Sequence, residues 1–479
     1  MLNAGNRRGL DSTLLVGIPA ANRRQSEEGG VRVTFDYPQG VESYWLDAVS
    51  LPEALTRFTG PEAAPGSAAP VGDALTMASI RIENGRIVQI LRGRAPSEGL
   101  PVFDTARRLV TPLFVDIHTH LDKGHIFGRS PNPDGTFFGA RETVGRDREA
   151  RWDTRDVHQR MSFALKAAYA HGTGAIRTHL DSIGKQIGIS WPVFDEIRTE
   201  WRGRIDLQAV CLMPVVSVID APAEFDAIVG QLRRYGGIMG AVTFLGEKPD
   251  AKLDAALDRM IAVAMAEGFD LDFHVDESAS PDARSLERIA DALLRHRFRG
   301  RALAGHCCSL ALMEDDERAR VIDKLADARL NVVSLPMCNL YLQDRQAGRT
   351  PRWRGVAPLH ELDAAGVSTM VASDNTRDPF YAYGDLDAVE VFREATRILH
   401  FDHTARPWLE ALTTRPAAQM GLAGRGHLTA GMPADFVLFE ARSLNEWLCR
   451  PQADRQVIRA GQRLHERPPA FAELDAIMA

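Results

Sequence analysis

The chain has 479 residues, 45% hydrophobic and 25% charged, with a formal net charge of −7 and a pI near 6.1. That length holds a barrel of ~250 residues plus an appendage. Acids and bases are interspersed without a basic tract, which argues against nucleic acid as a partner, and no apolar run approaches the ~20 residues that span a membrane.

The five cysteines (Cys211, Cys307, Cys308, Cys338 and Cys449) are odd in number and form no CxxC pair, as expected of reduced thiols in a cytoplasmic protein. Residues 1–30 read as a polar, mobile tail. The short apolar run Leu14 to Ala21 after Arg7-Arg8 falls short of a secretory leader. Strand character follows at Val31–Phe35, Tyr44–Val49, Ser79–Ile82 and Ile87–Leu91, the last two flanking Asn84-Gly85, a strong hairpin signal. Between them, Pro61 to Pro70 reads as a loop.

From Leu109 onward, strand-like runs at 109–118, 174–182, 206–214, 238–245, 270–276, 302–308, 331–337 and 367–373 alternate with amphipathic helical segments. Four of these segments are Val157–His171, Leu253–Glu267, Ser285–His296 and Asp315–Ala328. Eight uninterrupted βα units predict an α/β fold, a (β/α)8 TIM-type barrel over residues 109–423. A helical pair, Asp387–Leu399 and Trp408–Met420, precedes strands at Leu428–Ala430, Phe436–Phe439 and Val457–Arg459. Residues 31–108 and 424–470 are expected to join in a small β-sandwich.

Barrel chemistry sits at the carboxyl ends of the strands, and the polar residues fall there. His118 and His120, two apart at the end of strand one, share a face. Strand five ends at His274 with Glu277 three residues on, strand six at His306, and strand eight at Asp374-Asn375. His118, His120, His274 and Asp374 offer three nitrogens and one oxygen, a set suited to one divalent ion, Zn2+ or Fe2+. Such a set leaves a position for water, whose pKa falls towards ~7 on zinc. Asp374 is then placed to take a proton from that water, Glu277 to pass one to a ring nitrogen or leaving group, and His306 to polarise the attacked centre. The ordinary reading of any one strand-end histidine is structural, but four on one rim with two carboxylates point to catalysis.

These residues resemble the amidohydrolase superfamily and, within it, the cytosine deaminase branch. The likeness covers roughly residues 80–470. It is carried by Thr111 to Asp122, Ile176 to Asp181, His274-Val275-Asp276-Glu277, Gly305-His306, Asn339 to Arg345 and Ser373 to Gly384. The resemblance implies hydrolysis of an exocyclic C–N bond on a nitrogen heterocycle by one metal ion, with the same metal ligands and proton-transfer groups. Binuclear relatives resemble one another in a carboxylated lysine on strand four; here Lys248 comes only after that strand.

Two departures concern the substrate. Pro214-Val215 stands where cytosine deaminases carry a glutamine that reads the pyrimidine amide edge, and Asn375 stands where they carry a second aspartate, closer to triazine N-alkyl amidohydrolases. A pterin or other anionic ring therefore competes with cytosine as the substrate, and release of an alkylamine from a triazine-like ring is the alternative reaction. Phe380 is expected to stack on the ring. Lys123, with His125, Arg129 and Arg377, is expected to recognise a carboxylate edge. Asn339 and Gln343, just past strand seven, are expected to reach the substrate or cap a helix. The partner is thus a small heterocycle, with assembly into a homo-oligomer left open.

Overall fold

A computed structural model describes residues 35–60, 72–96, 99–243, 247–450 and 454–478. The expected tail 1–30 and loop Pro61 to Pro70 lie outside the described residues, as do the first four residues of the strand expected at Val31–Phe35. β1 (Ser43–Pro52), β2 (Leu75–Glu83), β3 (Arg86–Arg92) and β4 (Val102–Asp104) form one sheet in the order β3-β2-β1-β4. The Asn84-Gly85 hairpin is present, with φ of 47° and 74° at its two turn residues, the left-handed pair of a tight two-residue loop. β4, which pairs in parallel with β1, has no pattern of its own in the sequence.

The run expected as one strand over 109–118 is two. β5 (Val110–Pro112) leaves the barrel and pairs antiparallel with residues Phe436–Leu438, and β6 (Phe114–Thr119) is the first barrel strand. Pro112 explains the break, because a residue without an N–H cannot carry a central ladder onward. β6, β7 (Thr173–Asp181) and β8 (Asp206–Leu212) form a three-stranded parallel sheet. β9 (Met239–Val242), β10 (Leu271–Val275), β11 (Ala302–His306), β12 (Leu330–Ser334) and β13 (Thr369–Val371) form a five-stranded one. Parallel bridges Val210–Ile238 and Pro214–Val242 join β8 to β9, and Thr119–Asp374 joins β6 to the chain leaving β13. Each of the eight strands thus has a neighbour on both sides, and all eight carboxyl ends meet on one rim.

β14 (Phe436–Phe439), β15 (Arg455–Arg459) and β16 (Gln462–Arg463) complete the order β16-β15-β14-β5. This sheet shares one buried core with the amino-terminal sheet: Tyr44, Leu46, Ile80 and Ile87 pack with Val110, Phe436, Leu438 and Ile458. The strand expected at Leu428–Ala430 is only a single bridge, Thr56–Leu428. The expected helix Trp408–Met420 is a helical turn at Trp408–Leu412 and a helix at Thr414–Met420, broken at Thr413 (φ −136°, ψ −89°). Among the described residues no helix is long and apolar enough to cross a membrane.

Candidate metal centre and active site

The end of β6 and the turn after β13 are laced together: the Asp374 N–H donates to the His118 carbonyl at 2.8 Å. Asp374 and His306 have φ of 63° and 70°, values sparsely populated by residues with a side chain and often held at functional sites. Each turns the chain sharply at the rim. After β10, Asp276 accepts from the N–H groups of Ser285 and Leu286 at 3.1 and 3.0 Å, capping the next helix, while Glu277 lines the cavity.

The four expected ligands meet. His118 Nε2 lies 3.1 Å from His274 Nε2 and 3.5 Å from Asp374 Oδ1; His120 Nε2 lies 3.2 Å from each of His274 Nε2 and Asp374 Oδ1. All four side chains are buried, and the Asp374 oxygens have no hydrogen-bond partner of good geometry. Neutral imidazoles facing one another this closely hold few protons to share, and such bare donors are costly away from water. Metal–ligand bonds of about 2.0–2.2 Å set neighbouring donors roughly 3–3.5 Å apart. The arrangement fits one metal ion, and these four residues form a metal-binding site.

Burial fixes the proton states around it. It lowers His120 to about 4 and, with the neighbouring imidazoles, lowers His274 well below its usual value, so both stay neutral and available as ligands. Burial alone would raise Asp374, but the His118, His120 and His306 rings beside it outweigh burial and hold the carboxyl well below the usual range. Glu277 goes the other way: burial, then the negative charge of Asp374, raises it well above its usual value. His306 is lowered to about 3 by burial and is neutral. The two carboxyls are therefore pushed in opposite directions within a single site, an arrangement that separates base from acid.

Glycine matters at one place here. A Cβ on Gly305 would sit 2.9 Å from His118 Cε1 and 3.2 Å from its Nδ1, so the ligand ring rests directly on the backbone of β11. Gly305→Ala is expected to lower metal occupancy and turnover by roughly tenfold or more, as when a ligand's supporting contacts are lost. Metal analysis beside an activity assay checks this; full occupancy with normal turnover would mean His118 has room to move.

Beyond the ligands lies a cavity of about 610 Å3, within the range of small-molecule sites. One wall is apolar, with Leu212, Met213, Val215 and Val216; Phe380, Phe137 and Asn375 also line it. Lys123 enters with its Nζ 4.9 Å above the Phe380 ring. It is 6% exposed, and among the described residues no carboxylate lies within ion-pair distance of it.

Arg129 is a correction. It does not line this cavity; it grips Asp147 at 3.0 and 2.8 Å and also bonds Asp156 and the Ile477 carbonyl. Breaking such a buried pair leaves an uncompensated charge, a cost of about 3–5 kcal/mol, so Arg129 is committed to the fold. His125 packs on Phe163 at 4.8 Å and Arg377 over Phe471 at 4.2 Å, both outside the cavity lining. Asn339 and Gln343 also stand behind the cavity rather than in it: Asn339 Nδ2 reaches Glu277 Oε1 and His306 Nδ1, and Gln343 Nε2 reaches the Glu277 carbonyl.

No motif or spacing pointed to Arg141, Val144, Gly145 and Arg148. They line the cavity from the helix Phe137–Arg151, whose glycines and arginines carry little apolar periodicity. Its start was readable in Asp134-Gly135-Thr136, where the Thr136 side chain caps the Gly139 N–H.

Residues 228–465 match the model of the amidohydrolase family. The chain is 51% identical over 447 residues to a pterin deaminase of Rhizobium rhizogenes, covering 93% of this chain and 99% of that protein. It is 24% identical over 390 residues to an N-isopropylammelide isopropyl amidohydrolase of a Pseudomonas species, covering 78% of this chain and 90% of that one. A crystal structure of 5-methylcytosine deaminase from Klebsiella pneumoniae with phosphonocytosine superposes with a TM-score of 0.74 at 22% identity, over 89% of this chain and 99% of that one. With a half-identical relative matched along nearly its whole length, and with the metal-binding residues gathered on one rim, the chain belongs to the amidohydrolase family.

Proposed function

We propose that this protein is a hydrolytic deaminase of an amino-substituted nitrogen heterocycle, with a pterin as its ring class. The observation that carries the reading is a cavity lined by Glu277, His306 and Asp374, the last of these one of four buried donors gathered as a metal-binding set. The half-identical pterin deaminase supports the ring class.

A divalent cation, Zn2+ or Fe2+, held by His118, His120, His274 and Asp374 would supply the Lewis acidity that activates water. Asp374 accepts the proton released as water attacks the carbon bearing the amine. Glu277 gives its proton to the adjacent ring nitrogen, and neutral His306 directs a ring N–H at the attacked centre. The proton held by Asp374 then passes to the amino group, the new hydroxyl returns its proton to Glu277 as the carbonyl forms, and the C–N bond breaks with ammonia leaving. Phe380 supports the flat ring, and the apolar wall around Val215 offers none of the amide-edge hydrogen bonds that cytosine would need.

The ring of parallel strands reads as a (β/α)8 barrel with a β-sandwich from both termini beside it. The five cysteines are free, which fits a cytoplasmic location. Ammonia release from pterins, with the lumazine product identified, tests the reaction. If alkylamine from N-alkyl triazines appears instead, the alternative suggested by Asp374-Asn375 takes its place.

Lys123 makes a further prediction. A buried ammonium facing a cavity suits an anionic substituent, and a charge-assisted hydrogen bond is worth about 1.5–3 kcal/mol. Pterin-6-carboxylate is expected to exceed pterin in kcat/KM by roughly 10- to 100-fold, with the preference lost in Lys123→Met. Equal rates on the two substrates in the wild type would remove the anion reading.

A further inference from the structure

One amide outside the cavity lining bonds both Glu277 and His306. Asn339 stands in the helix Pro336–Leu342, fully buried, with its Nδ2 3.0 Å from His306 Nδ1 and 3.2 Å from Glu277 Oε1. Its two N–H bonds thus have two acceptors. Among the described residues, His306 Nε2 is buried without a hydrogen-bond partner, as is Asn339 Oδ1.

The proton count fixes the orientation. With the amide reversed, both N–H donors would leave the Glu277 Oε1 and His306 Nδ1 that now accept from them, and two lost donors cost more than one under-used carbonyl. With the amide as it is, a proton on His306 Nδ1 would confront an N–H at 3.0 Å, and Glu277 Oε1, 3.3 Å from Nδ1, already accepts from the same amide. The neutral ring must therefore carry its proton on Nε2. The same amide donates to Glu277 Oε1 and leaves Oε2 to the other partners of the carboxyl.

We propose that Asn339 is a positioning residue of the reaction: by donating to His306 Nδ1 and Glu277 Oε1 together, it selects the Nε2–H tautomer of His306 and fixes the Glu277 carboxyl through Oε1. The inference rests on the deaminase reading for its kinetic consequence but not for its geometry. Gln343 completes the arrangement by holding the Glu277 carbonyl at 3.2 Å.

The test compares Asn339→Asp with Asn339→Ala in metal-loaded protein. Aspartate keeps the shape but inverts the hydrogen bonding: it accepts where the amide donated, drawing the His306 proton to Nδ1. Alanine removes the donor and leaves the ring free to choose. If Asn339 sets the tautomer, the isosteric aspartate variant is the worse enzyme. A kcat loss of about 100-fold or more is expected for Asn339→Asp and about 10-fold for Asn339→Ala, with KM within roughly threefold of wild type and metal content retained. A role in packing alone predicts the opposite order, because alanine opens a cavity and aspartate does not; alanine equal to or worse than aspartate would overturn the proposal.

The 15N spectrum of histidine-labelled wild-type holoenzyme, with His306 assigned by difference from His306→Asn, reads the tautomer directly. It decides the matter should Asn339→Asp fail to fold or the wild type prove inactive on ring amines. A protonated Nδ1 would overturn the proposal, and an unprotonated Nδ1 supports it. Wild-type protein that releases no ammonia would defeat the deaminase reading and leave this spectral test standing.

Discussion

His274→Ala is expected to abolish metal retention and to reduce turnover by roughly a thousandfold or more, beyond the 10- to 100-fold typical of losing an outer partner of a ligand. His274 Nε2 is the meeting point of the cluster, 3.1 and 3.2 Å from the two β6 histidines, so its loss leaves three donors on one side of the site. His179→Ala is the matched control. Its ring centroid is 4.1 Å from that of His118, yet it lies outside the four-donor set around Asp374, so a loss within 10- to 100-fold with metal retained is expected. Metal analysis beside ammonia release separates the two variants, and equal loss in both would mean the ligand set is wrongly drawn.

The same centre sets an acid limit. His120 titrates near 4 in the folded protein against 6.5 for a free ring. Between those values the unfolded chain binds protons that the folded site refuses, so stability rises with pH across that window and falls on acidification. Bound metal widens the gap, because it stabilises the folded state and needs neutral imidazole. Thermal melts with and without chelator from pH 4 to 7 should show the chelator-sensitive part of the stability shrinking as pH falls. A chelator effect independent of pH would argue that these imidazoles are not the ligands.

How much of this was legible in the sequence depends on whether a residue's role is local. His118 and His120 could be read because strand alternation alone puts them on one face. His274, His306 and Asp374 could be read because parallel strands deliver their carboxyl ends to one rim. Strand ends were blurred where the chain changes sheet or direction, as at Pro112 and at Pro336, which opens a helix immediately after β12. Arg129 shows the opposite limit. It sits in sequence among the rim residues, but its environment is set by Asp147 and Asp156 from helical segments 18 and 27 residues later, and no periodicity encodes that meeting. Asn339 and Gln343 were visible as a motif, yet only the fold shows that their side chains bond Glu277 and His306.

Glu277→Gln is expected to keep the fold and the metal while reducing kcat by about 10²- to 10⁴-fold, the range associated with a positioned general acid. Glutamine keeps the shape and still accepts from Asn339 Nδ2 through its carbonyl oxygen, so the hydrogen bond at 3.2 Å can survive. What it lacks is a proton that a ring nitrogen can take. The pH behaviour makes the test specific. Burial and the charge of Asp374 raise the Glu277 carboxyl well above its usual value, so the folded protein keeps a proton that the unfolded chain has lost. Its contribution to stability is greatest below the ordinary glutamate range and declines as pH rises towards the folded-state value. Wild-type kcat should fall along the same alkaline limb as the acid is lost, whereas the residual rate of Glu277→Gln should lack that limb and its stability should not fall with it. An unchanged alkaline limb in the variant would assign that ionisation to another group, and unchanged turnover would remove Glu277 from the reaction altogether.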